Sequence, residues 1–342
     1  MRHTWRRIAG PVLSVVSVVA LTLGATACAS SEHSDGLLVY NAQHESLTKE
    51  WIDAFTKQTG IKVTYRQGGD TELGNQLVAE GAASPADVFL TENSPAMAAV
   101  EHAGLFADVA ADTAKQVPEQ YRPASGKWTG VAARTTVFAY NTTKLRPEQL
   151  PVSLLDLQQP GWKGRWGAPP AKADFQAIVA ALLALKGEPA TARWLAGMKT
   201  NAVPYKDNIA TLKAVNAGEV DGGVIYHYYW FRDQAKAKEI SGNTALHYFG
   251  NGDPGAFVSL SGGGVLTSSR KQQQAQRFLQ FITSEAGQEV LQKGTSYEYP
   301  VASAVPANPA LKPLDQLHPP VVDPSDLDAK KVSDLMTTAG LL

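Results

Sequence analysis

The sequence predicts an α/β fold of two lobes with hinge crossovers between them, the first patterned as half of a doubly wound parallel sheet. Three observations predict it. Short apolar runs alternate with amphipathic stretches from residue 36 onward, and the alternation restarts in the second half of the chain. Caps and stops punctuate those stretches at helix-like lengths. No repeat and no low-complexity linker separates the two stretches, so the chain is expected to cross between lobes inside structured segments, near 134–138 and 255–260.

Taken in order, Leu37–Tyr40 is an apolar strand, and Glu45–Thr59 a helix with Leu47, Trp51 and Phe55 on one face and Gly60 as its stop. Ile61–Tyr65 predicts a second strand, Thr71–Glu80 a helix and Asp87–Leu90 a third strand. The next helix opens with Ser94 as N-cap and Pro95 at the first helical position, where the missing N–H costs nothing, and stops at Gly104. The pattern returns with short strands at Gly164–Gly167 and Val203–Tyr205 and helices at Phe175–Leu185 and Ala190–Met198. Helix Ile209–Ala217 leads to strand Gly222–Tyr226, and helices follow at Lys271–Thr283 and Glu285–Gln292. Residues 300–324 carry seven prolines and predict an extended surface segment. Ser325 or Asp326 then caps a last helix ending near Gly340. Lobe 1 is thus expected over 36–135 with 258–305, and lobe 2 over 136–257 with 306–342.

Composition narrows the function. A chain of 342 residues gives both lobes ample core, and a formal net charge of −1 offers no basic footprint for nucleic acid. The single cysteine excludes an internal disulfide and every Cys-cluster metal site. Arg2, Arg6 and Arg7 precede the apolar run Ile8–Leu23, too short for a membrane span but suited to a secretory signal. Leu23-Gly24-Ala25-Thr26-Ala27-Cys28 resembles a bacterial lipoprotein signal: residues 1–27 removed, Cys28 lipidated, 28–35 a polar tether. The plainer alternative is an ordinary cleavage site with a chance cysteine. Removal of 1–27 takes away three Arg and no acid, leaving 28 basic and 32 acidic side chains, a formal charge of −4. The expectation is an exported chain on a lipid anchor at the outer face of a cell membrane, on a Gram-positive surface rather than in a periplasm.

Catalytic signatures fail on inspection. His44-Glu45 lacks the second His of a zincin, Ser259–Gly263 lacks the leading Gly of a nucleophile elbow, and no P-loop or dinucleotide fingerprint is present. What remains is a convergence at strand ends, where open α/β sheets bind ligands. Leu37–Tyr40 runs into Asn41-Ala42-Gln43-His44, Asp87–Leu90 into Thr91-Glu92-Asn93, and Gly222–Ile225 into Tyr226-His227-Tyr228-Tyr229-Trp230. Singly, each has a bland explanation: a helix-terminal His, a Glu favouring a helix dipole, an aromatic cleft wall that could also cradle an organic cation. Together they offer imidazole, carboxylate and phenols. Two tyrosines, a glutamate and a histidine supply up to three negative charges, a hard set that suits Fe³⁺ better than Zn²⁺ or Mn²⁺. Octahedral Fe³⁺ would keep two positions for an anion and water.

Those residues resemble a known family. Tyr40–Glu45, Pro85–Glu92 and Tyr226–Trp230 are similar to the ferric-ion-binding proteins of bacterial ABC importers, and so are Asn216–Val220, Gly252–Ala256, Ser261-Gly262 and Tyr297-Glu298-Tyr299-Pro300. The similarity runs in order over 36–342. It implies a type II periplasmic-binding-protein fold, a Venus flytrap closing on Fe³⁺, with no enzymatic activity. It also implies delivery to an ABC permease with its ATPase, by a monomer. By position, His44, Glu92, Tyr228 and Tyr229 correspond to the iron ligands. Asn93, Asn208 and Arg134 correspond to groups around a synergistic anion, phosphate or carbonate. Two departures stand out. The family's anion-binding turn is replaced by Lys172-Ala173-Asp174, so Lys172 could hold the anion, and Tyr226 with His227 replaces an Asn, so either could enter the site. The alternatives are the same fold with a small organic cation or phosphonate (thiamine, a polyamine, aminoethylphosphonate) and, more remotely, a metal-dependent hydrolase.

Overall fold

The computed structural model describes residues 36–302 and 305–342. Leu37–Asn41 (β1) is apolar on both faces, as a covered parallel strand must be. It pairs in parallel with Val63–Gln67 (β2) and Val88–Leu90 (β3), joined through helices Glu45–Thr59 (α1) and Asp70–Glu80 (α2). Helix α1 buries Leu47, Trp51 and Phe55 and ends where Gly60, at φ 73°, bonds back to the Thr56 carbonyl. Ser94–His102 (α3) has Asn93, not Ser94, as its N-cap, and Ala111–Gln116 (α4) leads toward the longest strand.

That strand, Thr129–Asn141 (β4), changes partners midway. Thr129–Thr135 pairs antiparallel with Val258–Val265 (β9), which continues the first half of the sheet through β3. Thr136–Tyr140 pairs with Gly222–Tyr226 (β7), and Phe138–Asn141 with Thr244–His247 (β8). Trp166–Ala168 (β5) and Ala202–Pro204 (β6) complete the order β2-β1-β3-β9-β4-β7-β5-β6. Glycine is required at the β4–β7 pairing: a Cβ on Gly222 would lie 2.2 Å from the Phe138 ring.

Around the second half lie Ala173–Asn201 (α5), Asn208–Ala217 (α6) and His227–Gln234 (α7), while Gln272–Thr283 (α8) and Glu285–Lys293 (α9) cover the first. Two large apolar cores result. Leu37, Val39, Trp51, Phe55, Phe278 and Leu279 form one; Trp166, Phe175, Trp194, Val224 and Met198 belong to the other. Asp35–Leu342 is nonetheless one compact unit.

Several boundaries differ from the sequence expectation. The two helices expected at Phe175–Leu185 and Ala190–Met198 are one run broken at Gly187 (φ 75°), two residues before Pro189. Register against Leu37 starts β2 at Val63, two residues later than expected. The strands β4 and β8 had no expected limits, because their small and polar residues lack a clear alternation. The proline-rich segment is not simply extended on the surface: Leu311 and Leu317 are buried against Ala133, Leu260 and Tyr299. The last helix, Ala329–Thr338 (α10), is capped by Asp328, and Ser325 and Asp326 belong to a preceding turn. Its Val332 and Met336 join the second core, so 306–342 packs against both halves. The expected signal (1–27), Cys28 and the tether (28–35) lie outside the described residues. Among the described residues, no helix is long and apolar enough to cross a membrane.

Candidate metal centre

Six helices begin at one cleft. His44 is the N-cap of α1, Asp70 opens α2, Asn93 caps α3, Asp174 lies in the first turn of α5, and Asn208 opens α6. Tyr228 and Tyr229 occupy the first turn of α7, because β7 ends at Tyr226 and the helix starts at once. Helix N-termini present unpaired N–H groups and positive dipole ends, which ease the burial of anionic oxygens.

The first half of the sheet contributes a charged network. His44 Nδ1 lies 2.9 Å from Glu92 Oε1, and its Nε2 lies 3.2 Å from Glu298 Oε1. Glu298 is fully buried and ion-paired to the equally buried Arg134, at 2.8 Å from Nη2. Gln43 Nε2 donates to Glu298 Oε2 at 3.2 Å and also to Ser261 Oγ, which accepts a second bond from Arg134 Nη2 at 3.0 Å. Burial works against a charged His44 imidazole, but the Glu92 and Glu298 carboxylates outweigh it and raise its pKa. Burial likewise opposes ionisation of Glu92, yet His44 and Arg134 hold that carboxyl below its ordinary value.

The second half contributes a neutral cluster around one carboxylate. Asp174 Oδ2 accepts from Asn208 Nδ2 at 2.8 Å, from the Tyr229 hydroxyl at 2.9 Å and from the Tyr228 hydroxyl at 3.3 Å. Its Oδ1 accepts from Asn93 Nδ2 at 2.9 Å, across the cleft. The same amide donates to Asp70 Oδ2 at 2.9 Å, and Asn93 Oδ1 accepts from Tyr226 at 3.3 Å and Ser259 at 3.1 Å. Burial, then the Asp174 charge, pushes the Tyr228 and Tyr229 phenols well above their ordinary range. Asp174 is itself raised by burial and by Glu92, and burial with the same neighbour pushes Asp70 up to about 8.

The two halves meet. The His44 and Tyr228 rings are edge-on at 5.0 Å, and Tyr228 lies 4.3 Å from Tyr229. His44, Glu92, Tyr228 and Tyr229 therefore converge as expected from their strand ends. Among the described residues, no group of three or more His, Cys, Asp or Glu is arranged to hold a metal.

Other expected site residues fall differently. Asn93 and Asn208, read as anion holders, both donate to Asp174. Arg134 is spent on Glu298 and Ser261, with its Nε and Nη1 buried and unpaired. Tyr226 reaches Asn93 rather than the phenol pair. His227 turns away: its Nδ1 accepts from the Thr135 N–H at 3.3 Å, its ring packs 4.9 Å from Tyr299, and burial depresses it to about 3. Lys172 is exposed on the rim of a cavity of about 310 Å³, lined also by Gln67, Asp70, Glu92, Asp174 and Asp207. Sequence reasoning missed Asp174, Asp70, Gln43 and Glu298 as participants. Asp174 was in view only as part of the altered anion turn, and Glu298 only as part of a matching motif.

Comparison with known proteins gives four findings. The bacterial extracellular solute-binding protein family matches residues 83–323. The chain is 60% identical over 333 residues to the Fe(3+)-binding periplasmic protein of Serratia marcescens, covering 97% of this chain and 98% of that one. It is 35% identical over 325 residues to the major ferric iron-binding protein of Neisseria meningitidis, 94% and 98% of the two chains. Among solved structures, iron-bound HitA from Pseudomonas aeruginosa superposes with a TM-score of 0.84 at 42% identity, over 90% of this chain and 99% of that one.

Proposed function

The chain belongs to the bacterial extracellular solute-binding proteins, in the family of the Serratia Fe(3+)-binding protein, and on that premise we propose that it captures Fe³⁺ in this cleft for an ABC importer. It is a transport binding protein, not an enzyme. His44, Glu92, Tyr228 and Tyr229 hold the ion, with the metal displacing both phenolic protons. The observation that carries this reading is the pair of phenols sharing Asp174 directly opposite the His44–Glu92 pair.

Asp174 adds a step to the expectation. A phosphate or carbonate was expected between Asn93 and Asn208; a carboxylate of the protein has their hydrogen bonds instead. Our reading is that Asp174 supplies the anionic oxygen of the fifth position and leaves the sixth to water or a small anion entering past Lys172. Glu92, Asp174 and Asp207 line the cavity, with Asp70 raised to about 8 beside them, an unfavourable surface for a large anionic chelator and a favourable one for a cation. We further propose that Cys28 anchors the protein by lipid at an outer membrane face. The two lobes, 36–135 with 258–305 and 136–257 with 306–342, would hinge about β4 and β9, and a monomer would present the ion to the permease and its ATPase.

Titration of the purified protein with ferric citrate tests this. A visible phenolate-to-iron band saturating near one ion per chain is expected. Tyr228→Phe and Tyr229→Phe should each lower affinity by at least about 100-fold, since groups that merely orient metal ligands are worth about 10–100-fold. A folded wild type with no band rules out phenolate ligation.

A further inference from the structure

We propose that Glu298 is the positioning residue for His44: it fixes which ring nitrogen keeps the proton and so which one faces the ion. The inference rests on the ferric reading and adds a residue that reading does not use.

The geometry carries it. His44 has a carboxylate at each nitrogen, Glu92 at 2.9 Å from Nδ1 and Glu298 at 3.2 Å from Nε2. Only one of these carboxylates is free to serve the metal. Glu92 is partly exposed and lines the cleft cavity; Glu298 is fully buried, pinned by Arg134 at 2.8 Å and by Gln43 at 3.2 Å. His44 Nε2 is buried and makes no aligned hydrogen bond, although it lies 3.2 Å from Glu298 Oε1, the oxygen that Arg134 holds at 2.8 Å. A small rotation of the ring aligns them, and a buried donor left without a partner gains from reaching a carboxylate already fixed in place. With Nε2–H given to Glu298, the proton that Nδ1 shares with Glu92 at 2.9 Å is the one an incoming ion would displace, which leaves Nδ1 as the donor on the side of the phenols. Metal-binding imidazoles commonly have such a carboxylate behind them, which fixes the tautomer and raises the ring's donor strength.

The backbone also delivers Glu298 on purpose. Tyr297 sits at φ 56°, a conformation few aromatic residues adopt, and the turn it makes sends the next side chain inward to Arg134 while Tyr299 pairs with Ala133 of β4. A buried carboxylate held by strain, an arginine and an amide is costly scaffolding if it does nothing but pack.

The test is a double-mutant cycle on ferric affinity, measured by citrate competition, over wild type, Glu298→Gln, His44→Ala and the double variant. Glu298→Gln is expected to lose about 10- to 100-fold in affinity while retaining the visible band at saturation, with its electron paramagnetic resonance line shape altered. In the His44→Ala background the same substitution should cost less than about threefold, because the two residues act as one unit. Equal losses in both backgrounds, or no loss in the first, overturn the proposal while the wild-type band upholds the ferric reading. A wild type that binds no iron overturns both. Should Glu298→Gln unfold because Arg134 is left as an uncompensated buried charge, the charge-neutral pair Arg134→Met with Glu298→Gln carries the same cycle.

Discussion

The two walls of the cleft solve opposite electrostatic problems. On the β1–β3 side, His44, Glu92 and Arg134 are held in their charged forms by their neighbours despite burial, and Arg134 is ion-paired with Glu298. On the β7 side, Tyr228 and Tyr229 are kept neutral, and a single carboxylate, Asp174, absorbs their hydroxyl protons as hydrogen bonds. The first wall is organised before a cation arrives. The second becomes anionic only when a cation strong enough to expel phenolic protons replaces them. On the proposed ferric reading, selectivity for a small, highly charged ion would reside in the second wall, and orientation of the donors in the first.

Proton release separates the two walls most sharply. An imidazole raised above its ordinary pKa carries its second ring proton below that raised value and loses it above, so the contribution of His44 to proton release fades as pH climbs. Phenols raised well above 10 keep theirs through the whole range. Ferric binding in weakly buffered solution at pH 8.5 should still release at least two protons per ion, and affinity should rise by about 100-fold per pH unit when two protons are displaced. Tyr228→Phe should remove about one of those protons at every pH tested, whereas the share removed by His44→Ala should shrink as pH rises. Release of fewer than one proton by the wild type would mean the phenols stay neutral and the ion is held elsewhere.

A second, smaller effect probes what Asp174 replaces. In Asp174→Asn the hub loses its charge but keeps its shape between Asn93 and Asn208. Affinity should fall about tenfold in anion-free buffer and recover on adding phosphate or carbonate, whereas the wild type should respond little. Equal responses of variant and wild type to phosphate would return the exogenous anion to the centre of the site.

How far this was legible in the sequence divides along the same line. His44, Glu92 and the tyrosine pair could be read because each follows a strand end, and strand ends share an edge of the sheet. Asp174 and Glu298 could not, because hydrogen bonds across 54 residues from Asp174 to Tyr228, or 255 from Gln43 to Glu298, leave no local pattern. The long strand β4 was legible only as a crossing: its Thr, Ala and Arg residues are buried on both faces, so the two-residue alternation that marks a strand is absent. His227 illustrates the reverse error, since adjacency to the tyrosines suggested a ligand while one step around the helix turned it to Thr135 of β4.

The smallest effect belongs to the rim. Lys172 is exposed, so its field at the ion is screened by water and salt, unlike that of Arg134 at the base. As a cation it opposes Fe³⁺ and attracts small anions. Lys172→Ala should therefore raise ferric affinity by no more than about fivefold, the ceiling for an exposed charge, and lower the phosphate response of Asp174→Asn when the two are combined. Both changes should shrink as ionic strength rises from about 0.01 to 0.15 M, where the screening length falls from about 30 to 8 Å. A salt-independent effect, or a loss of affinity, would place Lys172 against the bound ion's own shell, and the division between a charged wall, a neutral wall and a solvated rim would have to be redrawn there.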